Sequence, residues 1–133
     1  MAEIRLTNLH KAFEEFVAVR GSSLTVRDGD FFVLLGPSGC GKTTTLRMIA
    51  GLELPTSGEI RLGGQDVTFL RARHRDIAFV FQLFALYPHM NVRRNIGFPL
   101  LAQGVPGPER RRRVEEAARL LRIDHLLDRG VGG

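Results

Sequence analysis

The chain has 133 residues, 44% of them apolar and 25% charged, the balance of one globular domain and not of a disordered chain. Lys and Arg number 19 against 14 Asp and Glu, a formal charge of +5; part of the excess is one run, residues 110–113, which reads as a solvated helix face, and no zinc pattern, aromatic RNA-binding motif or helix-turn-helix accompanies it to suggest nucleic acid. The longest apolar runs, 31–35 and 77–87 (broken by Gln82), fall short of the ~18 residues that span a bilayer, the first residues carry no leader pattern, and a single cysteine, Cys40, excludes an internal disulfide and fits a reducing compartment.

In chain order, residues 3–9 place Ile4, Leu6 and, past Asn8, Leu9 as a short strand with one wet face. Residues 17–26 read as a second strand, interrupted at Gly21, Ser22 and Ser23. Asp28, Gly29 and Asp30 signal a turn. Residues 31–35 (Phe-Phe-Val-Leu-Leu) are apolar on both faces, which predicts a strand of a parallel sheet buried on both sides. A Gly-rich loop follows. Leu46, Ile49 and Ala50 then fall at helical spacing over 44–50, with Gly51 where a helix would stop. Residues 55–58 form a turn, 59–62 another short strand, and Gly63 and Gly64 a second turn. Residues 71–76 are a polar, basic connector, and 76–81 a second strand of the buried type, ending at Gln82. Pro88 and Pro99 bracket an irregular or short helical stretch, and 104–108 form a linker. Residues 109–122 predict an amphipathic helix with Val114, Ala117, Ala118 and Leu121 on one face and Arg112 four residues before Glu116. Nothing in residues 127–133 signals packing, so this tail is expected to fray.

The chemistry concentrates in residues 36–43, Gly-Pro-Ser-Gly-Cys-Gly-Lys-Thr, which satisfy the phosphate-loop pattern G-x-x-x-x-G-K-[ST] in full. Glycines let the backbone turn tightly and approach oxygen atoms. Consecutive N–H groups then make an anion nest, and the helix that follows adds the positive end of its dipole. Lys42 supplies a point charge for the β- and γ-phosphates, and the Thr43 hydroxyl can ligate Mg²⁺. Cys40 is either a redox-sensitive thiol or, as backbone-made loop contacts favour, a small filler whose N–H does the binding.

Residues 36–51, followed by Gly58-Glu59-Ile60 and by Val80-Phe81-Gln82, resemble the ATP-binding subunits of ABC transporters. Residues 85–90, Ala-Leu-Tyr-Pro-His-Met, together with Asn95, resemble more narrowly the sugar-importer branch, of maltose and glycerol-phosphate type. The resemblance covers nearly all of 3–129. It implies an α/β P-loop NTPase fold: a truncated ABC-type nucleotide-binding domain with an antiparallel β subdomain. Residues 1–100 would be the nucleotide-binding core and 101–133 the start of a helical subdomain. It implies ATP and Mg²⁺ as cofactors. Gly36, Ser38, Gly39, Cys40, Gly41, Lys42, Thr43 and Thr44 would hold the nucleotide, Thr43 and Gln82 the metal, and Lys42 and Gln82 would serve the chemistry. Phe13 matches the aromatic residue that stacks on adenine; the other reading is an ordinary core phenylalanine. Residues 82–90 match the surface that receives the transmembrane permease subunits, unless their apolar side chains are buried in this chain's own core. A second ATP-binding subunit would be a further partner, at the cytoplasmic face of the membrane.

The departures from the family matter as well. After Leu126-Leu127-Asp128-Arg129 the family continues into a Leu-Ser-Gly-Gly-Gln signature, and this sequence reads Gly130-Val131-Gly132-Gly133. The strand ending in Asp-Glu and the later switch histidine have no counterpart either; His10, His74, His89 and His125 all precede that place. The expectation is ATP binding without efficient hydrolysis, with apolar sheet faces left uncovered. The alternatives are a non-catalytic remnant or interaction fragment and an unrelated P-loop kinase; a GTPase is disfavoured because no Asn-Lys-x-Asp is present.

Overall fold

The computed structural model describes residues 2–132. Met1, the first residue of the expected leader-free start, and Gly133, the last of the expected fraying tail, lie outside the described residues. The chain divides into two compact units, residues 1–79 and 80–133.

The first unit is built on a four-stranded antiparallel sheet in the order β2-β1-β3-β4. Strands β1 (Ile4–Phe13) and β2 (Phe16–Val26) form a long hairpin, and β3 (Ser57–Leu62) pairs with the other edge of β1 and turns through Gly63 and Gly64 into β4 (Gln65–Asp66). Both hairpin strands run longer than their apolar alternation suggests, and β2 continues through Gly21 and the serines without a break. The slip in alternation at Asn8 has a cause. The ladder shifts register between Leu6 and Leu9, and Asn8 takes a positive φ of 47°, the mark of a bulge. The extra residue lets Leu6 and Leu9, three apart, both enter the core, where they are 2% and 0% exposed. Ser23 fixes the bulge, accepting from the Asn8 N–H at 2.8 Å.

Helix α1 (Lys42–Ala50) lays Met48 and Ile49 against Leu6, Leu9, Val19, Ile60 and Val67. It starts two residues earlier than the apolar spacing indicates, and Met48, not Leu46, is its deepest side chain; Leu46 is exposed. Gly51 ends it as expected, at φ 77°.

Neither buried-type strand forms. Residues 31–35 belong to no strand, with Phe31 96% and Leu35 87% exposed. Residues 76–81 are likewise irregular, although Ile77 packs on the edge of the core. A strand buried on both faces needs a hydrogen-bonded neighbour and a covering layer on each side. Every described ladder belongs to the antiparallel sheet, so among the described residues these segments have the composition of interior strands and no strand ladder.

The second unit contains α2 (Val92–Ala102) and α3 (Gly107–Leu120). The stretch between Pro88 and Pro99 is thus largely helical, capped by the Asn91 side chain, which accepts from the Arg94 N–H at 2.9 Å. Val114 and Ala118 of α3 pack with Leu127, flanked by Val92, Ile96, Leu100 and Ile123. Leu121, assigned to that apolar face by spacing, lies beyond the helix end and is exposed. Residues 127–130 of the tail do not fray. Leu127 is buried, the Leu127 and Arg129 carbonyls accept from Arg93 N at 2.8 Å and Val92 N at 2.9 Å, and Gly130 bridges to Asn91. The start of α2 leaves N–H donors unsatisfied, and the tail supplies acceptors for them, a long-range match that no local pattern announces.

Candidate functional site

The phosphate loop spans the gap from the exposed 31–35 segment to α1 and lies against β2. Its geometry follows from two glycines: Gly39 and Gly41 take φ of 79° and 88°, values an L side chain resists. At Gly41 the constraint is doubled, because a Cβ there would stand 2.3 Å from the Ala18 carbonyl oxygen of β2. The loop can therefore close onto the sheet edge only with glycine at this point. Gly41 is also the N-cap of α1 and offers no side chain to the helix, so the first N–H groups of α1 lack a capping acceptor. Such a terminus favours an anion.

Lys42 curls back over the loop. Its Nζ donates to the Gly36 carbonyl at 2.5 Å and the Pro37 carbonyl at 2.7 Å, and lies 3.4 Å from Cys40 Sγ. All three ammonium donors are thus engaged within the loop, two by backbone carbonyls and the third, weakly, by the Cys40 sulfur, which fixes the charge at the centre of the loop. Residues 36–40 are exposed, so the nest is open and not plugged. Ser38 and Thr43 are exposed and Thr44 half-buried. A cavity of about 400 Å³ adjoins the loop, lined by Val17, Ala18, Val19, Arg20, Ser22, Gly39, Cys40 and Thr45.

Phe13 closes the β1–β2 hairpin, stacked on Phe16 with centroids 5.3 Å apart. Lys11 Nζ lies 4.9 Å from the Phe13 centroid and is held by Glu53 Oε1 at 2.8 Å and the Leu54 carbonyl at 2.8 Å. The Lys11 hydrogen bond, ahead of the cost of burial, holds the Glu53 carboxyl below its ordinary range. Phe13 is thus no core residue. The only two lysines of the sequence, Lys11 and Lys42, both stand on this unit, one under the aromatic pair and one in the loop.

Among the described residues no group of three His, Cys, Asp or Glu side chains comes together. The donor set still suits Mg²⁺, which keeps water and substrate phosphate oxygens and needs only one or two protein ligands; Thr43 offers one hydroxyl. Gln82 is exposed in the second unit. There, Leu83, Phe84, Leu86 and Tyr87 are also exposed, so the segment is not part of this chain's core. Asn95 pins its C-terminal part: its Oδ1 accepts from Tyr87 N at 2.9 Å, and its Nδ2 donates to the carbonyls of Tyr87, Met90 and Asn91 at 3.2, 3.1 and 3.0 Å. Phe98 packs on the Tyr87 ring at 4.8 Å.

One residue that orders the site was not found from sequence. Arg75, read as part of a polar connector, is 4% exposed. Its guanidinium donates to the Leu70, Met48, Ile49 and Thr68 carbonyls at 2.7, 2.8, 3.0 and 3.1 Å. Met48 and Ile49 are the last turn of α1, so Arg75 caps the helix end opposite the loop and complements its dipole. Burial lowers its pKa from the ordinary arginine value. Nothing local distinguishes this arginine from its neighbours Arg71 and Arg73.

The fold and the loop define a partial α/β domain of the P-loop class, with an antiparallel sheet beside the phosphate-loop helix. The chain belongs to the ABC transporter family, whose sequence profile matches residues 19–133. It is 50% identical over 132 residues to a sulfoquinovosyl glycerol transport ATP-binding protein of Agrobacterium fabrum, covering 99% of this chain and 37% of that protein. It is 54% identical to a trehalose/maltose import ATP-binding protein of Thermococcus litoralis, covering 97% of this chain and 36% of that one. With a xylose/arabinose import ATP-binding protein of Haloferax volcanii the identity is 55%, over 97% of this chain and 34% of the relative. The chain thus spans about a third of the length of these relatives. In structure it is similar to a dimeric ATP-binding cassette in a post-hydrolysis state bound to ADP and Pi: TM-score 0.87, 30% identity, 96% of this chain and 61% of that one. No helix among the described residues is long and apolar enough to cross a membrane.

Proposed function

We propose that the chain binds Mg-ATP through its phosphate loop, as the ATP-binding part of an importer of sugars or related polyols. The observation that carries the reading is the Lys42 ammonium, held by the Gly36 and Pro37 carbonyls at the head of a helix with no side-chain cap. Gly36 and residues 38–44 would wrap the triphosphate, Lys42 would neutralise its terminal charge, Thr43 would ligate Mg²⁺, and Phe13 would belong to the platform for the base. The metal supplies charge neutralisation at the phosphates. Gln82 enters on the family resemblance alone, as a group for Mg²⁺ and the attacking water, and so does the division into a nucleotide-binding core over 1–100 and a helical start over 101–133.

The relatives named for import support the solute class, and the dimeric cassette supports a second ATP-binding subunit as partner. Residues 82–90 would receive the permease subunits, because exposed Phe84, Leu86 and Tyr87 offer apolar area on a segment that Asn95 holds in shape. That partner would put the protein peripherally at the cytoplasmic face of a membrane. The sequence carries no Ser-Gly-Gly-Gln, and the proposed part of residues 1–133 by themselves is binding without efficient hydrolysis. Calorimetric titration with Mg-ATP, with Lys42→Ala as control and phosphate release measured alongside, tests this. Lys42-dependent binding with negligible phosphate release is expected. Binding that survives Lys42→Ala would overturn the loop assignment; rapid Lys42-dependent turnover would overturn the division between binding and hydrolysis.

A further inference from the structure

The Lys42 ammonium is engaged inside the loop, by the Gly36 and Pro37 carbonyls and the Cys40 sulfur. A polyphosphate seated there still needs donors for its outer oxygens. The cavity of about 400 Å³ beside the loop has Gly39 and Cys40 on one wall and β2, with Arg20 and Ser22, on another. Arg20 is the one charged residue of that lining. It is exposed, and its guanidinium has no hydrogen bond or ion pair among the described residues. Its partner across the hairpin is His10, not a carboxylate, so the opposite strand position gives it no counter-ion. All its N–H donors are therefore available to a ligand.

The path of β2 gives this arginine a particular end of the ligand. Val17 and Val19 pair with Ala12 and Lys11, consecutive residues of β1, so Ala18 is the extra residue of a bulge. Its carbonyl is the point where Gly41 of the loop meets the strand. Val19 then enters the core at 4% exposure, and Arg20, next in the alternation, stays out of it. Phe16, paired with Phe13, precedes Ala18 by two residues, and Arg20 follows it by two, a step of about 7 Å. With the base toward Phe13, as in the nucleotide-binding reading on which this inference rests, Arg20 stands past the loop contact at the end away from the base. That end carries the terminal phosphate.

We infer that Arg20 is a second cation of the phosphate site, outside the loop motif, which binds the terminal phosphate and sets the preference for a nucleoside triphosphate over a diphosphate. The planar guanidinium offers paired donors that match two phosphate oxygens. Lys42 supplies a fixed charge within the loop, and Arg20 reads whether the last phosphate is present. A diphosphate, ending short of Arg20, keeps the loop contacts and loses only this one.

The test is calorimetric titration of the full chain with Mg-ATP and with Mg-ADP, in the parent, Arg20→Gln, Arg20→Lys and Arg73→Gln. The last removes the same charge from an exposed arginine that does not line the cavity. Arg20→Gln should weaken Mg-ATP about tenfold, the scale of one lost charge-assisted hydrogen bond, and leave Mg-ADP near the parent value, so the preference for triphosphate falls about tenfold. Arg20→Lys should fall between, and Arg73→Gln should bind both ligands like the parent. An unchanged melting temperature in Arg20→Gln, as its exposure leads one to expect, separates a contact with ligand from a role in folding. Mg-ATP binding by Arg20→Gln equal to the parent's overturns the assignment. So does equal weakening of both nucleotides, or the same effect in Arg73→Gln, and all three leave the loop assignment intact. Failure of the parent to bind either nucleotide in a Lys42-dependent way overturns the nucleotide reading and this inference with it.

Discussion

Exchanging Arg75 for methionine should unfold the first unit far more readily than its place in a basic connector suggests. Methionine approximates the length of the side chain and fills its space, so the change isolates the guanidinium. Four carbonyl oxygens, of Leu70, Met48, Ile49 and Thr68, lose a donor at 2.7 to 3.1 Å. The Met48 oxygen keeps one partner, the Gly51 N–H at 3.1 Å. A hydrogen bond from a charged donor is worth about 1.5–3 kcal/mol, so the gross loss is about 6–12 kcal/mol. Against it stands the desolvation of the cation, several kcal/mol that the methionine variant no longer bears. The balance is a destabilisation of about 3 kcal/mol. With a urea slope of about 1.5 kcal/mol/M, the midpoint falls by about 2 M. Urea titrations followed by far-ultraviolet circular dichroism read this directly. Arg75→Lys, which keeps the charge but not the planar fork, should fall between. A methionine variant with the parent's midpoint would refute the assignment of Arg75 as the cap of α1.

Three further outcomes follow from the same geometry. Gly41→Ala combines a positive φ with a Cβ 2.3 Å from the Ala18 oxygen; it should cost about 2–4 kcal/mol and abolish Mg-ATP binding in calorimetry, and a variant that binds normally would mean that the loop closes differently. Asn95→Ala removes the bonds that tie Tyr87, Met90 and Asn91 together and should raise hydrogen exchange over 87–91 about tenfold or more, read by mass spectrometry, with the β1–β2 amides unchanged. Glu109, hydrogen-bonded first by Arg112 and then by Arg113, has its carboxyl drawn from 4.5 down to about 2. A lowered folded-state pKa means stability present above pH 4.5 and lost as pH falls toward 2, so Glu109→Gln should lower stability at pH 7 and flatten the acid limb of unfolding in that window by the same amount, a small one for an exposed pair.

What the sequence disclosed and what it withheld divide by the range of the interaction. The loop was legible because its function demands residue types in consecutive positions, and Gly41 carries two constraints at one place. The two strands of the hairpin, though not their pairing, and α3 were legible from periodicity, with ends displaced by a few residues. Residues 31–35 announce burial correctly as chemistry, but burial requires neighbours, and a string of five side chains cannot say whether they are present. The chain covers 61% of the cassette it resembles in structure, and the described residues give this segment no ladder. Residues 127–130 and Arg75 were missed for the converse reason: each satisfies backbone groups more than 25 residues away, and no local pattern encodes a distant acceptor.

That division explains how the loop is held without help from its own motif. Helix α1 is nine residues long, about 14 Å, too short to be stable by itself. Its apolar face, Met48 and Ile49, joins a core whose depth comes from the bulge at Asn8, which turns Leu9 inward beside Leu6. Its C-terminal carbonyls are taken by Arg75, and its N-terminal N–H groups are left uncapped. One end of the helix is therefore satisfied internally and the other only by what arrives from outside. Had a serine or aspartate stood at Gly41, its side chain would have capped the helix and also struck the Ala18 carbonyl. Glycine is the one residue that keeps the loop against the sheet while leaving those donors for an anion, so the site is made as much by what is withheld at residue 41 as by the charge supplied at residue 42.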